Sequence, residues 1–312
     1  MVYRGDMKNM VEKEGFNLFK AMAYIDRKYL FLMVFIITIG SLLFPISIPI
    51  QIGKNTNLYY SYLSKLKSTD IVMWKGATFR SYMEVKSGYI ATLRVIIEKG
   101  AKLVAMYDEG DQQSVFQMVM GNPSTGASGI LTSLMEQKNY KYWDNYIDLG
   151  MVLLGGEATY VSLARNFQGY IHNDYAGRPI QGSFLENVNG AADFAMIIDS
   201  GPLAGIGGDF LGRHFAMDYK VVYLGNMIGV GIAPTQTYIE TGIVKGMLES
   251  GRGGAELEYL IGAPGPGLAA LNVMTLGHYY FIALIIIGNI GYFGWERKAR
   301  REEEIRAGGQ KK

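Results

Sequence analysis

The chain has no cysteine. That excludes thiol nucleophiles, cysteine-held zinc and iron–sulfur clusters, and it leaves any extracytoplasmic part to be stabilised by its core without disulfides. Histidine is scarce: His172, His214 and His278 are the only three, and no H-x₃-H or HExxH spacing joins them, so no metal is expected. Charged residues make up 19% of the chain, below the ~25% usual in soluble domains. The net charge of +2 supplies no field that would draw nucleic acid. No Asn-x-Ser/Thr acceptor occurs, because Pro123 spoils Asn122-Pro123-Ser124. No G-x-S-x-G elbow is present either.

What the chain does have is apolar residues, 49% of it, and two charge-free runs of them, from Tyr29 to about Ile50 and from about Met274 to Phe293. Each is near the ~20 residues that cross ~30 Å of hydrocarbon. Arg4, Lys8, Lys13, Lys20, Arg27 and Lys28 precede the first run, and Arg297, Lys298, Arg300, Arg301, Arg306, Lys311 and Lys312 follow the second. Basic residues stay on the cytoplasmic side. Both termini are therefore expected in the cytoplasm, with the central domain extracytoplasmic, at the plasma (cell) membrane. A cleaved signal peptide is the alternative for the first run, but the run is long for one, and PISIPIQIG follows it in place of a small-x-small site. The expected layout is a cytoplasmic segment over 1–28, a transmembrane helix over 29–50, an α/β domain over 51–260, a Gly/Pro linker over 261–273, a second transmembrane helix over 274–294 and a basic tail over 295–312.

Between the runs, strand-like and helix-like segments alternate. DIVMWKG (70–76), KLVAMYDEG (102–110), YIDLGMVLL (146–154), DFAMIIDSG (193–201) and KVVYLGN (220–226) read as strands. Helical periodicity falls over 82–100, 127–140, 155–171, 207–218 and 235–251. Strands separated by such helices predict an α/β fold, a Rossmann-like, mostly parallel sheet with helices on both faces, flanked here by the two transmembrane helices.

IDRKYLFLMVF leading into a Pro-containing span, and GMLESGRGGAELEYLIG followed by LGHYYFIALIIIGNIGYF, resemble the ends of a family of archaeal and bacterial two-span membrane proteins. The similarity is weaker around YWDNYIDLG and GGEATYVSLARNF. It implies one span at each end and a Rossmann-like extracytoplasmic domain; it implies no activity.

Ligands of open α/β sheets sit beyond the carboxyl ends of the strands. The sharpest candidate there is the loop holding Asp199, Ser200, Gly201, Gly205, Gly207, Gly208 and Asp209, whose glycines allow close backbone approach and whose spacing is not GxGxxG. A second is Gly155, Gly156 and Glu157, where Glu157 suits the positive end of a helix dipole. A third, GNPSTGASG (121–129), is a candidate anion nest. Each also reads as an ordinary turn. A Ser200–His172 or Ser200–His214 hydrolase needs a hydrogen bond between those side chains.

Two interfaces are suggested. Arg252, Glu256 and Glu258 lie in a glycine-rich segment just before the second span. Within that span, Gly277, Gly288 and Gly291, with Gly294, share one helical face, as helices packing closely in lipid require. The leading expectation is an accessory or scaffold subunit of a larger membrane assembly. The alternative is a tethered module binding a small ligand for a transporter or sensor. Expected partners are the lipid bilayer, a membrane protein or a second copy, and a small molecule; no cofactor and no nucleic acid are expected.

Overall fold

The structure, a computed structural model, describes residues 18–43, 49–201 and 210–309. It divides into two compact units, Met1–Ile48 with Ala269–Lys312, and Pro49–Leu268. The first unit contains helices α1 (Leu18–Ala23) and α2 (Arg27–Leu43) and most of the last helix, while the rest of the chain builds the second. There, in order, lie α3 (Lys54–Leu63), β1 (Ile71–Lys75), α4 (Phe79–Lys99), β2 (Lys102–Met106), α5 (Gly110–Met120), α6 (Thr132–Gln137), β3 (Tyr146–Asp148), α7 (Glu157–Arg165), β4 (Met196–Gly201), β5 (Val222–Met227), α8 (Gly229–Glu240), β6 (Val244–Glu249) and α9 (Ser250–Leu260). The last helix is α10 (Pro266–Gly309).

The six strands form one sheet in the order β3-β2-β1-β4-β5-β6, and every pairing is parallel. This is the doubly wound Rossmann-like order, whose direction reverses between β1 and β4. Strands covered on both faces read as near-continuous apolar runs, as IVMW and MII do here. Alternate residues feed two cores. Val72, Trp74, Ile198, Leu224 and Leu248 pack under α4, with Tyr82, Tyr89, Ile96 and Leu93. Met73, Ile197, Tyr223 and Met247 pack on the other side with Tyr160, Leu163 and Phe215. Helix α4 starts because Thr78 accepts the Ser81 N–H, and it stops at Gly100, whose φ of 68° is left-handed and whose N–H returns to the Ile96 and Ile97 carbonyls.

One segment differs in kind from its sequence pattern. The helix expected over 235–251 is three elements: the end of α8, strand β6 and the start of α9. Gly242, at φ 74°, breaks the chain, and VKGML then runs extended as the last strand of the sheet. A short apolar run cannot be assigned by period alone. Gly246 in β6 carries the backbone of α3 directly on it, where a Cβ would meet the Tyr59 main chain. The strand expected over 146–154 ends at Asp148, because Gly150 turns at φ 73°. The linker expected over 261–273 is shorter: Gly262 turns at φ 64°, and the helix begins at Pro266, the position where a missing N–H is tolerated.

Glycine also sets the contact of α9 on α4. A Cβ at Gly254 would collide with the Gly88 backbone and Ser87, and one at Gly88 would lie 2.7 Å from Asn226 Oδ1. Gly254→Ala should therefore cost about 1–3 kcal/mol through overpacking, measured by denaturant unfolding of the detergent-solubilised chain. A change under about 0.5 kcal/mol would mean that the helices separate freely.

In the other unit, α2 is 17 residues long, with Phe31 and Phe35 exposed; residues 44–48 lie outside the described residues. Among the described residues, one helix is long and apolar enough to cross a membrane, within α10, where two were expected. Tyr280 donates to the Leu30 carbonyl at 3.1 Å. A Cβ at Gly291 would lie 2.5 Å from Ala23 N, and Gly294 faces Phe19, so these two glycines seat α1.

Candidate functional site

At the reversal point, the carboxyl ends of β1, β2 and β4 bring three charges together. Lys75 Nζ lies 3.2 Å from Asp199 Oδ1 and 3.3 Å from Asp108 Oδ2. The Lys75 side chain is 8% exposed, Asp199 not at all, and Asp108 23%. Tyr223 on β5 donates to the other Asp199 oxygen at 3.0 Å. Burial pulls the Lys75 ammonium toward its neutral form, but the Asp199 and Asp108 carboxylates outweigh it and hold the pKa above the ordinary lysine value. Burial pushes the Asp199 carboxyl up, with Lys75 opposing.

Side-chain phase explains the grouping. Lys75 shares a face with Met73, and Asp199 with Ile197, so each charge continues the inward row of its strand past the apolar residues. The same face receives the first turn of α7. There the Tyr160 hydroxyl is buried and finds no hydrogen-bond partner among the described residues, and its ring lies 5.4 Å from Phe210. Ser200, one residue along from Asp199, points to the opposite face beside its cross-strand neighbour Asn226. Its Oγ is likewise buried without a partner among the described residues.

The sequence candidates are thus divided. Asp199 joins the cluster, while Ser200 and Gly201, at φ 135°, border it from behind; Gly205, Gly207, Gly208 and Asp209 lie outside the described residues. Gly155 and Gly156 do open a helix, Gly156 at φ 63° as the residue before α7. Glu157 in the first turn of α7 accepts from His214 Nε2 at 2.8 Å. His214 belongs to a π-helical segment, Gly212–Met217, an element frequent at functional sites. Neither His214 nor His172 hydrogen-bonds Ser200, so the described residues assemble no hydrolytic triad. No metal-binding group of acidic or histidine residues occurs among the described residues. The 121–129 loop borders a groove of about 450 Å³.

Arg252 is exposed, but Glu256 and Glu258 turn inward, and neither is presented to a partner. Glu256 accepts from Arg252 Nε at 2.9 Å and from the Gly53 N–H at 3.0 Å, at the start of α3. Glu258 accepts the N–H groups of Gly265, Gly267 and Leu268 at 2.8–3.1 Å, which caps the first turn of α10. Gly277 and Gly288 have open space where a Cβ would be, unlike Gly291.

A Rossmann-like sheet raises the prospect of a dinucleotide on the first βα turn. The residues do not fit one. The turn WKGATFRS has a single glycine, and the Phe79 N–H at the start of α4 is taken by the Asp111 carboxylate at 2.9 Å. A pyrophosphate would meet that negative charge where it needs a donor. Comparison of the chain with family models, curated proteins and solved structures gives no match.

Lys75, Asp108, Tyr160 and Tyr223 lie outside the glycine-rich loops that mark the other candidates in the sequence. The available signal was a charge directly ending an apolar strand, as in IVMWK, LVAMYD and MIID.

Proposed function

We propose that the chain is a membrane-anchored protein whose extracytoplasmic Rossmann-like domain binds a small polar ligand at the sheet's reversal point. One observation carries this reading: the buried Lys75 and Asp199 charges and the half-buried Asp108 converge there, with a Tyr160 hydroxyl that has no partner among the described residues on the same face. Charges removed from water are costly to keep, and perturbed titratable groups gather at functional sites. Both termini would be cytoplasmic, by the distribution of Lys and Arg about the apolar runs.

The test uses the full chain in detergent and its Lys75→Met/Asp199→Asn double variant. Each is exposed to a mixture of small polar metabolites, washed, and analysed by mass spectrometry for retained compounds. Compounds retained by the parent and not by the variant are expected. Identical spectra from the two would refute the site.

A second role, as a scaffold within a larger assembly, is favoured by the open faces at Gly277 and Gly288. Close helix contact in lipid depends on small residues. Gly288→Leu should weaken association roughly ten- to a hundredfold, from an overpacking cost of ~1–3 kcal/mol. Gly291→Leu should instead displace α1, since Ala23 and Met22 already lie against it. Complex size after gentle detergent extraction separates the two; equal size for parent and Gly288→Leu would remove the seam.

A further inference from the structure

Where the apolar part of α10 ends, the helix carries Arg297, Lys298, Arg300 and Arg301. With α1 this stretch borders a groove of about 1080 Å³. The groove has two kinds of wall. Phe19, Ile290 and Phe293 are apolar, and Arg297, Lys298 and Arg301 are cationic. Arg300, also at the groove, pairs with Glu296 at 2.6 Å, and among the described residues Glu304 is the single acid on the lining. The groove exists because Gly291 and Gly294 let α1 lie along α10. Tyr24 packs edge-on to Trp295 at 5.7 Å beside it, and such aromatic side chains belong at the headgroup level of a bilayer.

We infer that this groove is a binding site for an anionic phospholipid, with the phosphate against Arg297, Lys298 and Arg301 and the acyl chains along Phe293 and Ile290. The charge of the lining is complementary to that headgroup. The apolar wall is continuous with the hydrophobic stretch of α10, which a free anion would leave unused. An acidic peptide would match the cations, but nothing about it calls for a site at the boundary of an apolar helix. The inference rests on the anchoring of α10 proposed above, and it adds the lipid that the anchor selects.

The test takes the full chain in a neutral maltoside detergent, equilibrated with equal amounts of phosphatidylglycerol and phosphatidylcholine, and counts retained lipid by native mass spectrometry. The parent should keep phosphatidylglycerol in preference. Each cation removed should lower retention about fivefold, so Arg297→Ala/Lys298→Ala/Arg301→Ala should lower it roughly a hundredfold. Arg27→Ala/Lys28→Ala, which removes cations that do not line the groove, should leave the preference intact. Equal retention of the two lipids by the parent overturns the site, as does an equal loss from both variants. Displacement by millimolar glycerol phosphate would identify a free anion as the occupant and also overturn it. A chain that stays dispersed without detergent sinks the anchoring instead, and the two failures are therefore distinct.

Discussion

Lys75→Met should destabilise the α/β domain by about 3–5 kcal/mol, the usual cost of removing one partner from a buried ion pair. Asp199 would be left fully buried with the Tyr223 hydroxyl as its hydrogen-bond donor. Asp108, more exposed, can recover water. Adding Asp199→Asn should restore much of the loss, because the amide oxygen still accepts from Tyr223 and carries no charge. The single variant should also be least impaired in acid. With the ammonium gone, burial raises the Asp199 pKa with the Tyr223 hydrogen bond left to oppose it, and the folded state takes up a proton that relieves the penalty as pH falls. Denaturant unfolding of both variants at two pH values measures this. A single variant within 1 kcal/mol of the parent, or a double variant no better than the single, would show that the cluster is not coupled.

Asp148 at the end of β3 should make the domain less stable as pH rises through the acid range. Burial pushes its carboxyl up to about 6, even though Gln113, Gln117 and the Gly150 N–H all donate to it. In the unfolded chain an aspartate titrates near 3.9. Between those values the folded state binds the proton more tightly, so the unfolding free energy declines with pH, by up to about 3 kcal/mol across the window. The effect is absent below the lower value and complete above the upper one. Asp148→Asn lacks this slope whatever constant offset it introduces. The stability of the variant relative to the parent should therefore grow by about 3 kcal/mol from pH 3.5 to pH 7. A difference that stays flat with pH would mean that Asp148 titrates alike in the folded and the unfolded chain.

The architecture was legible because its signals are local. Apolar runs such as IVMW and MII, spaced by helical periods, suffice to indicate a parallel sheet, and Gly100 marks a helix end. The segment over 235–251 misled because VKGML has neither a long enough run nor a clean alternation. Its strand character comes from a place beside β5 and under α3, which only the fold supplies. The site was half legible. Asp199 stood out beside its glycines, but Lys75, Asp108 and Tyr160 come from distant parts of the chain. Their meeting depends on strand order, which no spacing encodes. Glu256 and Glu258 read as contact-surface acids because, Arg252 aside, their partners are backbone N–H groups, and these leave no trace in composition.

The strand order also sets a timetable. β1 lies at the centre of the sheet, yet one of its two neighbours is β4, in the pairing of Val72 with Met196 and of Lys75 with Asp199. At synthesis rates of ~5–20 residues per second, the partner strand arrives roughly 6–25 s after β1. Until then the inner edge of β1 and its lysine have no sheet to close upon. Pairing across such a separation is slow and exposed to wrong association. The β1–β2–β3 half must wait in an open form while the second half is delivered, so this protein's folding yield should depend on whatever shields that edge until β4 arrives.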